Sequence, residues 1–450
     1  MKLSLREKLC YGLGDTASNL IFATVLHFLL YFYTDVFGLT AAAAGAMFLG
    51  VRALDAVVGV GVGIAADRTR TRWGSFRPWL LWMALPLAAG TVLAFTTPVF
   101  GPTGKLVYAW LTYGALMFAY SAINIPYGAL SGVMTADAHE RTSLSAVRMA
   151  CSQLGKFTVV ALTLPLVAYF GGAAGDPARG YQRTMLVFAL TAVALFLVAF
   201  LGTRERIALP RGQENNLRGD LAALWRNGAW TVLCGAGLLL FTFAAVRGSV
   251  VVYYFRYCVG DTAGATHFLI LSTVAAIAGA LASPVIARWL GKKNAFRGCT
   301  TIGAIFFGLI YLVPDERLPL LHALNVLGVL AASMTAPLFW SMLADAADYA
   351  EWQSGRRCTG LVFSVVSFAM KFGLGLGGVL TGALLGRFGY VAGAVQSEST
   401  LQGIVLLLTL IPAAGYALLA LFFGLYPLDE GRCATMHLEL RTRRAAAAGI

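Results

Sequence analysis

Charged residues are scarce in this chain of 450 residues: Asp, Glu, Lys and Arg together make up only 12% of it, whereas hydrophobic residues make up 58%. An ordinary soluble domain carries about 25% charged residues. The shortage of charge therefore excludes a set of soluble globular domains and indicates a chain that lies largely in an apolar environment.

Paired cysteines, phosphate-binding loops and catalytic motifs are also missing. The seven cysteines stand singly, without a CxxC pair or a histidine at ligand spacing, so we expect neither disulfides nor a metal site. The glycine-rich stretches 59–63 and 373–378 lack the Gly-Lys-Ser/Thr ending of a phosphate loop, and they predict close packing between helices. We expect no cofactor, no catalytic residues and no enzymatic activity.

Apolar stretches of about 20 residues, the length that crosses a bilayer, recur along the whole chain. In lipid such a stretch satisfies its backbone hydrogen bonds as a helix. The sequence therefore predicts an all-α membrane protein with twelve transmembrane helices. The predicted spans are 15–34, 41–66, 78–98, 106–134, 144–171, 183–203, 229–257, 264–290, 295–313, 318–344, 358–386 and 401–426.

The net charge of +13 comes from basic residues whose distribution along the chain matches the predicted topology. Basic residues concentrate in alternate connections, such as 68–77, 204–226 and 288–297, whereas the opposite connections hold few. By the positive-inside rule this pattern places both termini in the cytoplasm, in a multi-pass protein of the cell membrane. Because topology accounts for the charge, we expect the bilayer and not a nucleic acid as partner.

Two sequence echoes divide the chain into related halves. The segment 72–77 after the second span resembles 288–297 after the eighth, and Ala136-Asp137-Ala138 after the fourth resembles Ala344-Asp345-Ala346 after the tenth. The shared offset predicts two pseudo-symmetric six-helix halves, an architecture that resembles the major facilitator fold and implies a solute site between the halves near the midplane. The predicted domains are 1–203, a cytoplasmic linker 204–228, 229–428 and a cytoplasmic tail 429–450.

Asp55 is the only carboxylate that the sequence places deep in a span. An ionisable residue there is costly and marks a functional candidate. Arg52 lies three residues earlier and shares its helical face. We expect Asp55 to hold a proton or a cation; a purely structural ion pair with Arg52 is the alternative.

Tyr120, Asn124 and Tyr127 follow one helical stripe in the fourth span, with Ser121 beside them. Aromatic rings stack on the apolar faces of sugars, and amides and hydroxyls bond to sugar alcohols. The stripe therefore predicts a sugar site to which Asn19 of the first span also contributes. Hydrogen bonds between helices near the proline at 126 are the alternative.

The later spans add further polar candidates. Arg148 and Lys371 are cations that need partners inside their spans, and Ser367 lies one turn before Lys371. Trp340 is placed to stack on a ligand; packing within the protein or a position at the membrane interface is the alternative. Arg247 lies nearer the end of its span, where we expect its side chain to reach the membrane surface.

Several stretches are similar to the glycoside-pentoside-hexuronide:cation symporter family of the major facilitator superfamily. They are Tyr11–Asp15, Tyr31–Val36, Asp67–Trp79, Asn124–Gly128 and Ala344–Trp352. The resemblance covers both halves and is closer to the pentoside and glucuronide branches than to the melibiose carriers. It implies a sugar transporter in which Tyr120, Ser121, Arg148, Trp340, Ser367 and Lys371 lie in or around the sugar and cation sites.

The chain departs from the melibiose-type pattern at three positions. Asn19 and Asn124 replace acidic sugar ligands, and Gly59 replaces the second carboxylate of the cation site. A single carboxylate beside Arg52 compensates a sodium ion poorly, whereas a proton needs only one titratable group. We therefore expect proton-coupled symport through Asp55, with Arg52 and Ser121 in the same coupling site; an uncoupled carrier or a sodium symporter are the alternatives.

The substrate stays open between a neutral pentoside and an anionic sugar. Amides at Asn19 and Asn124 serve alcohol groups well. Arg148 and Lys371, in a cavity short of negative charge, equally favour a glucuronide.

An acidic cluster follows the tenth span. We expect it to form a charge-paired gate on the cytoplasmic side of a protein that functions as a monomer. The predicted gate residues are Asp67, Arg68, Arg141, Asp345, Asp348, Glu351 and Arg356. The same cluster is the only candidate for a membrane-embedded enzyme, the competing interpretation from another class.

Overall fold

The computed structural model describes residues 3–135, 138–172, 175–206, 227–314, 317–354 and 359–447. In these ranges every regular element is a helix, apart from one isolated bridge between Thr71 and Gly74. The α-helices are α1 Leu5–Thr24, α2 Ala41–Arg68, α3 Arg77–Ala94, α4 Pro102–Met134, α5 Ala138–Gly171, α6 Pro177–Gly202, α7 Gly228–Tyr253, α8 Thr262–Leu290, α9 Lys292–Ile310, α10 Leu318–Ser333, α11 Thr335–Ser354, α12 Thr359–Arg387, α13 Glu398–Leu408, α14 Leu410–Phe422 and α15 Glu430–Ala447.

Ten helical stretches among the described residues are long and apolar enough to cross a membrane. They confirm an all-helical protein of the multi-pass membrane class. The predicted spans 15–34 and 295–313 overlap α1 and α9, which are not among these ten stretches and which each begin in a charged segment. Most of the predicted linker 204–228 lies outside the described residues, since 207–226 are among those left out.

Two helices continue past their α-helical ends as wider π-helical turns. α1 passes into Val25–Leu29 and Phe32–Val36, and α7 passes into Tyr254–Val259. Such turns are rare and accumulate at functional sites. Here they carry Asp35 and Tyr257, which meet in a polar cluster described below.

The chain divides into two compact units that do not follow chain order. The first comprises 1–212, 248–273 and 378–404; the second comprises 213–247, 274–377 and 405–450. The boundaries pass through α7, α8, α12 and α13, and each of these helices contributes one of its two ends to the first unit. The division into domains 1–203 and 229–428 stays a prediction.

Small residues let α1 and α5 pack closely in the first unit. A Cβ added at Gly155 of α5 would lie 2.6 Å from the Thr16 carbonyl oxygen, and one added at Gly12 of α1 would lie 2.7 Å from Cys151 Sγ. The Thr16 hydroxyl also donates to the Cys151 carbonyl at 2.8 Å. This contact fixes the register in which the polar residues of α1 and α5 face each other.

The glycines of α12 have the same role in the second unit. A Cβ added at Gly373 would lie 2.6 Å from the Leu238 carbonyl oxygen, and one added at Gly377 would lie 2.5 Å from the Thr242 carbonyl oxygen. Close helix packing is thus confirmed for this stretch. Gly61 of the other stretch would meet nothing within 4 Å, so the expectation fails there.

Arg247 corrects one sequence-based expectation. Its side chain does not reach toward a helix end, because it is buried in the second unit. Its Nη2 donates to Asn325 Oδ1 at 2.6 Å, and its guanidinium lies 4.1 Å from the centre of the Phe307 ring. Partners on two other helices hold the charge inside.

Candidate functional site

A ladder of polar residues runs between α1 and α5. Tyr11, Asp15 and Asn19 follow one face of α1 at four-residue spacing, and Arg148, Ser152 and Lys156 follow one face of α5 in the same way. Residues four apart share a helical face. We call these six residues the α1–α5 ladder.

Asn19 and Ser152 tie the middle of the ladder together. The Asn19 Nδ2 donates to Ser152 Oγ and to the Asp15 carbonyl oxygen, each at 2.9 Å. The structure thus places the predicted sugar ligand Asn19 on the same face as Arg148. An amide held in this way keeps a fixed orientation.

Asp15 is a second acidic group within a predicted span, and the sequence reasoning missed it as a site residue. It is half-buried, and its carboxylate lies in electrostatic range of Arg148 and Lys156 with Ser152 beside it. The prediction placed the first span at 15–34, so Asp15 stood at its edge. Because α1 begins at Leu5, Asp15 lies almost three turns inside the helix. The four-residue spacing of Tyr11, Asp15 and Asn19 was the signal available.

The predicted stripe on α4 divides into two parts. Tyr120 and Asn124 are half-buried; the Tyr120 ring stacks on Phe22 with centroids 5.6 Å apart, and Asn124 Nδ2 donates to the Tyr120 carbonyl at 3.1 Å. The Tyr120 side chain thus contacts α1 at Phe22, three residues after Asn19.

Tyr127 is fully buried and stacks on Tyr11, with ring centroids 4.6 Å apart. Each tyrosine donates to the other's backbone carbonyl, at 2.6 Å from Tyr127 and 3.1 Å from Tyr11. In this structure Tyr127 therefore joins two helices, which is the alternative that the sequence left open for this stripe.

Asp55 and Ser121 meet between α2 and α4. Both are buried, and the Ser121 hydroxyl donates a short hydrogen bond to Asp55 Oδ1. The structure thus brings together two of the residues predicted for cation coupling. The third, Arg52, is 4% exposed, and its guanidinium lies 5.5 Å from the centre of the Phe22 ring.

The other predicted sugar-site residues belong to the second unit. Trp340 lies on α11 and packs edge-on against Phe339, with ring centroids 6.0 Å apart. Ser367 and Lys371 lie one turn apart on α12, and all three site residues are half-buried.

The described part of the predicted gate contains one ion pair. Asp345 Oδ2 lies 2.6 Å from Lys292 Nζ, a partner that the sequence did not suggest. Asp348 and Glu351 are half-buried on the same helix, and Arg68 is exposed. The side chains of Asp67 and Arg141, and the whole of Arg356, lie outside the described residues.

A polar cluster that the sequence did not predict lies where α1 ends. The Asp35 carboxylate accepts hydrogen bonds from the Tyr257 hydroxyl and, at 2.5 Å, from the Tyr390 hydroxyl. Thr34 Oγ1 and the Tyr253 hydroxyl are 2.7 Å apart. Burial, and then the nearby Asp35 charge, raise the pKa of Tyr390, so its phenol remains a donor. The cluster ties the end of α1 to α7 and to the segment after α12.

The chain is similar over nearly its whole length to several bacterial transporters. It is 37% identical to the putative glycoside/cation symporter YagG of Escherichia coli, over 99% of this chain and 96% of that one. It is 36% identical to the isoprimeverose transporter of Lactiplantibacillus pentosus, over 94% and 89%, and 34% identical to the glucuronide carrier protein homolog of Escherichia coli, over 98% and 97%.

The family assignment rests on these relatives and on a family model. The model of the family described as MFS/sugar transport protein matches residues 10–430. The resemblance to glycoside-pentoside-hexuronide:cation symporters is thereby confirmed, and the activity is transport and not enzymatic catalysis. The chain belongs to the MFS/sugar transport protein family.

Proposed function

We propose that the chain is a secondary active transporter that carries a glycoside, pentoside or hexuronide together with a proton, which Asp55 binds. The observation that carries the proposal is the buried contact of Asp55 with Ser121, since Ser121 directly follows Tyr120 on α4. A proton on Asp55 would change the hydrogen bond at the same turn that presents Tyr120 to the sugar. Such a shared turn is a direct way to link the two ligands.

The surroundings of Asp55 favour a proton over sodium. A sodium ion needs several oxygen ligands and enough negative charge to offset its lost hydration. Asp55 has Ser121 as its hydroxyl neighbour and Arg52, a cation, one turn away on the same helix, while Gly59 offers no side-chain oxygen. A proton requires only the carboxylate itself.

The transport cycle that fits the family is alternating access between two six-helix halves. In this proposal the twelve spans form the halves 1–203 and 229–428, joined by the linker 204–228, with both termini in the cytoplasm and a single chain as the functional unit. Trp340, Ser367 and Lys371 complete the sugar site from the second half.

The gate in this proposal lies on the cytoplasmic side. Asp345, Asp348 and Glu351 would exchange ion pairs with Lys292, Arg141 and Arg356 as that side opens and closes, and Asp67 and Arg68 would take part from the first half. The ion pair between Lys292 and Asp345 supports the idea.

The test is transport by the purified full-length protein in liposomes. Counterflow of labelled xylosides, galactosides and glucuronides identifies the sugar, and uptake under proton or sodium gradients identifies the ion. We expect exchange of at least one of these sugars and uphill uptake driven by a pH gradient alone. Exchange without gradient-driven uptake would indicate an uncoupled carrier, and no exchange of any sugar would refute the proposal.

A further inference from the structure

Lys156 is a cation inside a predicted span, and the proposed function gives it no role. It lies on α5 two turns after Arg148 and is half-buried. Within the part of the chain that the structure describes, its ammonium makes no hydrogen bond and no ion pair closer than 4.0 Å. The Asp15 carboxylate and the His27 ring lie within electrostatic range.

Lysine side chains near helix ends usually extend to the membrane surface, but Lys156 lies too far from either end of its span to do so. It stands near the middle of the apolar stretch Ser143–Gly171. At 1.5 Å per residue, each end of that stretch is roughly 20 Å away. This is farther than a lysine side chain extends, so the charge must be stabilised where it is.

The fixed charges along the α1–α5 ladder do not balance. Asp15 supplies one negative charge, whereas Arg148 and Lys156 supply two positive charges. In addition, Arg148 Nε is buried without a hydrogen-bond partner among the described residues. An unmatched cation inside a span is expensive, and a bound anion would relieve that cost.

The neighbours of the two cations suit a sugar that carries the anion. The Asn19 amide and the Ser152 hydroxyl lie between the levels of Arg148 and Lys156 and offer groups suited to sugar alcohols. Tyr120 of α4 stacks on Phe22, which follows Asn19 by three residues on α1. Arginine and lysine side chains bind carboxylates through charge-assisted hydrogen bonds.

We propose that Lys156 is a specificity-determining residue which, with Arg148, binds the carboxylate of an anionic sugar such as a hexuronide. Asp15 is then the counter-ion of both cations in the unloaded protein and is replaced by the carboxylate of the substrate. The inference rests on the proposed function, because it assumes that the solute is a sugar.

The effect of the substrate's negative charge is measured with two ligands that differ only at C6. Methyl β-D-glucuronide carries a carboxylate where methyl β-D-glucoside carries a hydroxymethyl group. Their competition against counterflow is measured for the wild type, Lys156→Met, Lys156→Arg and the control Phe157→Leu, a neighbouring exposed position. All variants are full-length and reconstituted after their melting temperatures have been checked.

The wild type is expected to prefer the glucuronide. Lys156→Met should lower the ratio of glucuronide to glucoside affinity by about ten- to a hundredfold, the value of one hydrogen bond to a charged group. Lys156→Arg should restore much of the ratio, and Phe157→Leu should not change it. If Lys156→Met does not fold, the ratio is read from Lys156→Gln, which also removes the charge.

Two results would overturn the inference: equal competition by both ligands in the wild type, or an equal loss for both ligands in Lys156→Met. Neither would affect the proposal of sugar transport. If no sugar of either charge is exchanged by the wild type, it is the proposed function that fails. A preference for glucuronide without gradient-driven uptake would leave the inference standing and refute only the coupling.

Discussion

Asp55 and Asp15 both lie well inside helices of the first unit, and their surroundings differ. Asp55 accepts a hydrogen bond from Ser121 and has one cation, Arg52, on its own helix. Asp15 faces two cations, Arg148 and Lys156, on another helix. A buried carboxylate that is hydrogen-bonded to a neutral hydroxyl is suited to gain and lose a proton, whereas a carboxylate that faces two cations is suited to serve as a counter-ion. The same residue type is therefore suited to coupling at one site and to anion selection at the other.

The largest expected effect comes from Asp55→Asn, which removes the proposed proton acceptor and leaves the α1–α5 ladder in place. Uphill uptake driven by a pH gradient should be lost, while counterflow of the sugar continues, because exchange does not require net proton movement. Uptake and counterflow in the same liposomes provide the two measurements. Uphill uptake at the wild-type level in Asp55→Asn would assign coupling to another group, with Asp15 the first to examine.

The next largest effect is expected from Gly155→Leu, which disturbs the close packing of α1 against α5 beside the ladder. The added side chain would collide with the backbone at Thr16, because a Cβ already lies 2.6 Å from that carbonyl oxygen. Overpacking of this kind costs about 1–3 kcal/mol. We expect a lower melting temperature and impaired sugar exchange.

Gly61→Leu is the matched control, since a Cβ at Gly61 meets nothing within 4 Å. It should melt like the wild type. Equal melting temperatures for both variants would mean that α1 and α5 do not cross as closely as described.

The comparison also shows which parts of the site the sequence could predict. Hydropathy predicted the apolar helices. Asp55 and Ser121 were assigned to one site, and the structure shows them in contact. Asp15 was missed because the first span was begun ten residues after the helix itself begins. Hydropathy averages over a window, so a charged first turn hides the start of a helix.

Lys156 and Arg247 could not be understood from the sequence, because their surroundings come from other helices. Lys156 faces Asp15, which is 141 positions earlier in the chain. Arg247 bonds to Asn325, 78 positions later. Periodicity tells which residues share a face of one helix, but not which helix that face meets.

Asp15→Asn should have a smaller effect of opposite sign to Lys156→Met. It removes the carboxylate that competes with the substrate for Arg148 and Lys156 but keeps the shape of the side chain. We expect affinity for methyl β-D-glucuronide to rise about three- to tenfold, less than the full value of one charge-assisted hydrogen bond because the Asn amide still contacts the cations, with affinity for the glucoside changing less. Competition against counterflow measures both. A lower affinity for the glucuronide would show that Asp15 supports the anion site and does not compete with it.

The smallest effect concerns Asp35, an acidic group at the end of α1 whose surroundings contrast with both buried sites. Its carboxylate accepts hydrogen bonds from the hydroxyls of Thr34, Tyr257 and Tyr390. The two tyrosine contacts hold together the π-helical turns that follow α1 and α7 and the segment after α12. A transporter that works by alternating access must break such contacts whenever this end opens.

Tyr390→Phe removes one donor to Asp35 and keeps the ring. A typical hydrogen bond contributes about 0.5–1.5 kcal/mol, so the local opening equilibrium should rise about two- to tenfold. Hydrogen exchange of residues 388–397 measures this opening, because amides exchange only when their local structure opens. Tyr108→Phe is the control, since it removes a phenol that donates to the Leu93 carbonyl at 2.9 Å and does not contact Asp35. If both variants exchange at the wild-type rate, the hydrogen bonds to Asp35 do not stabilise the closed arrangement of residues 388–397. The proposed structural role of Asp35 would then be wrong.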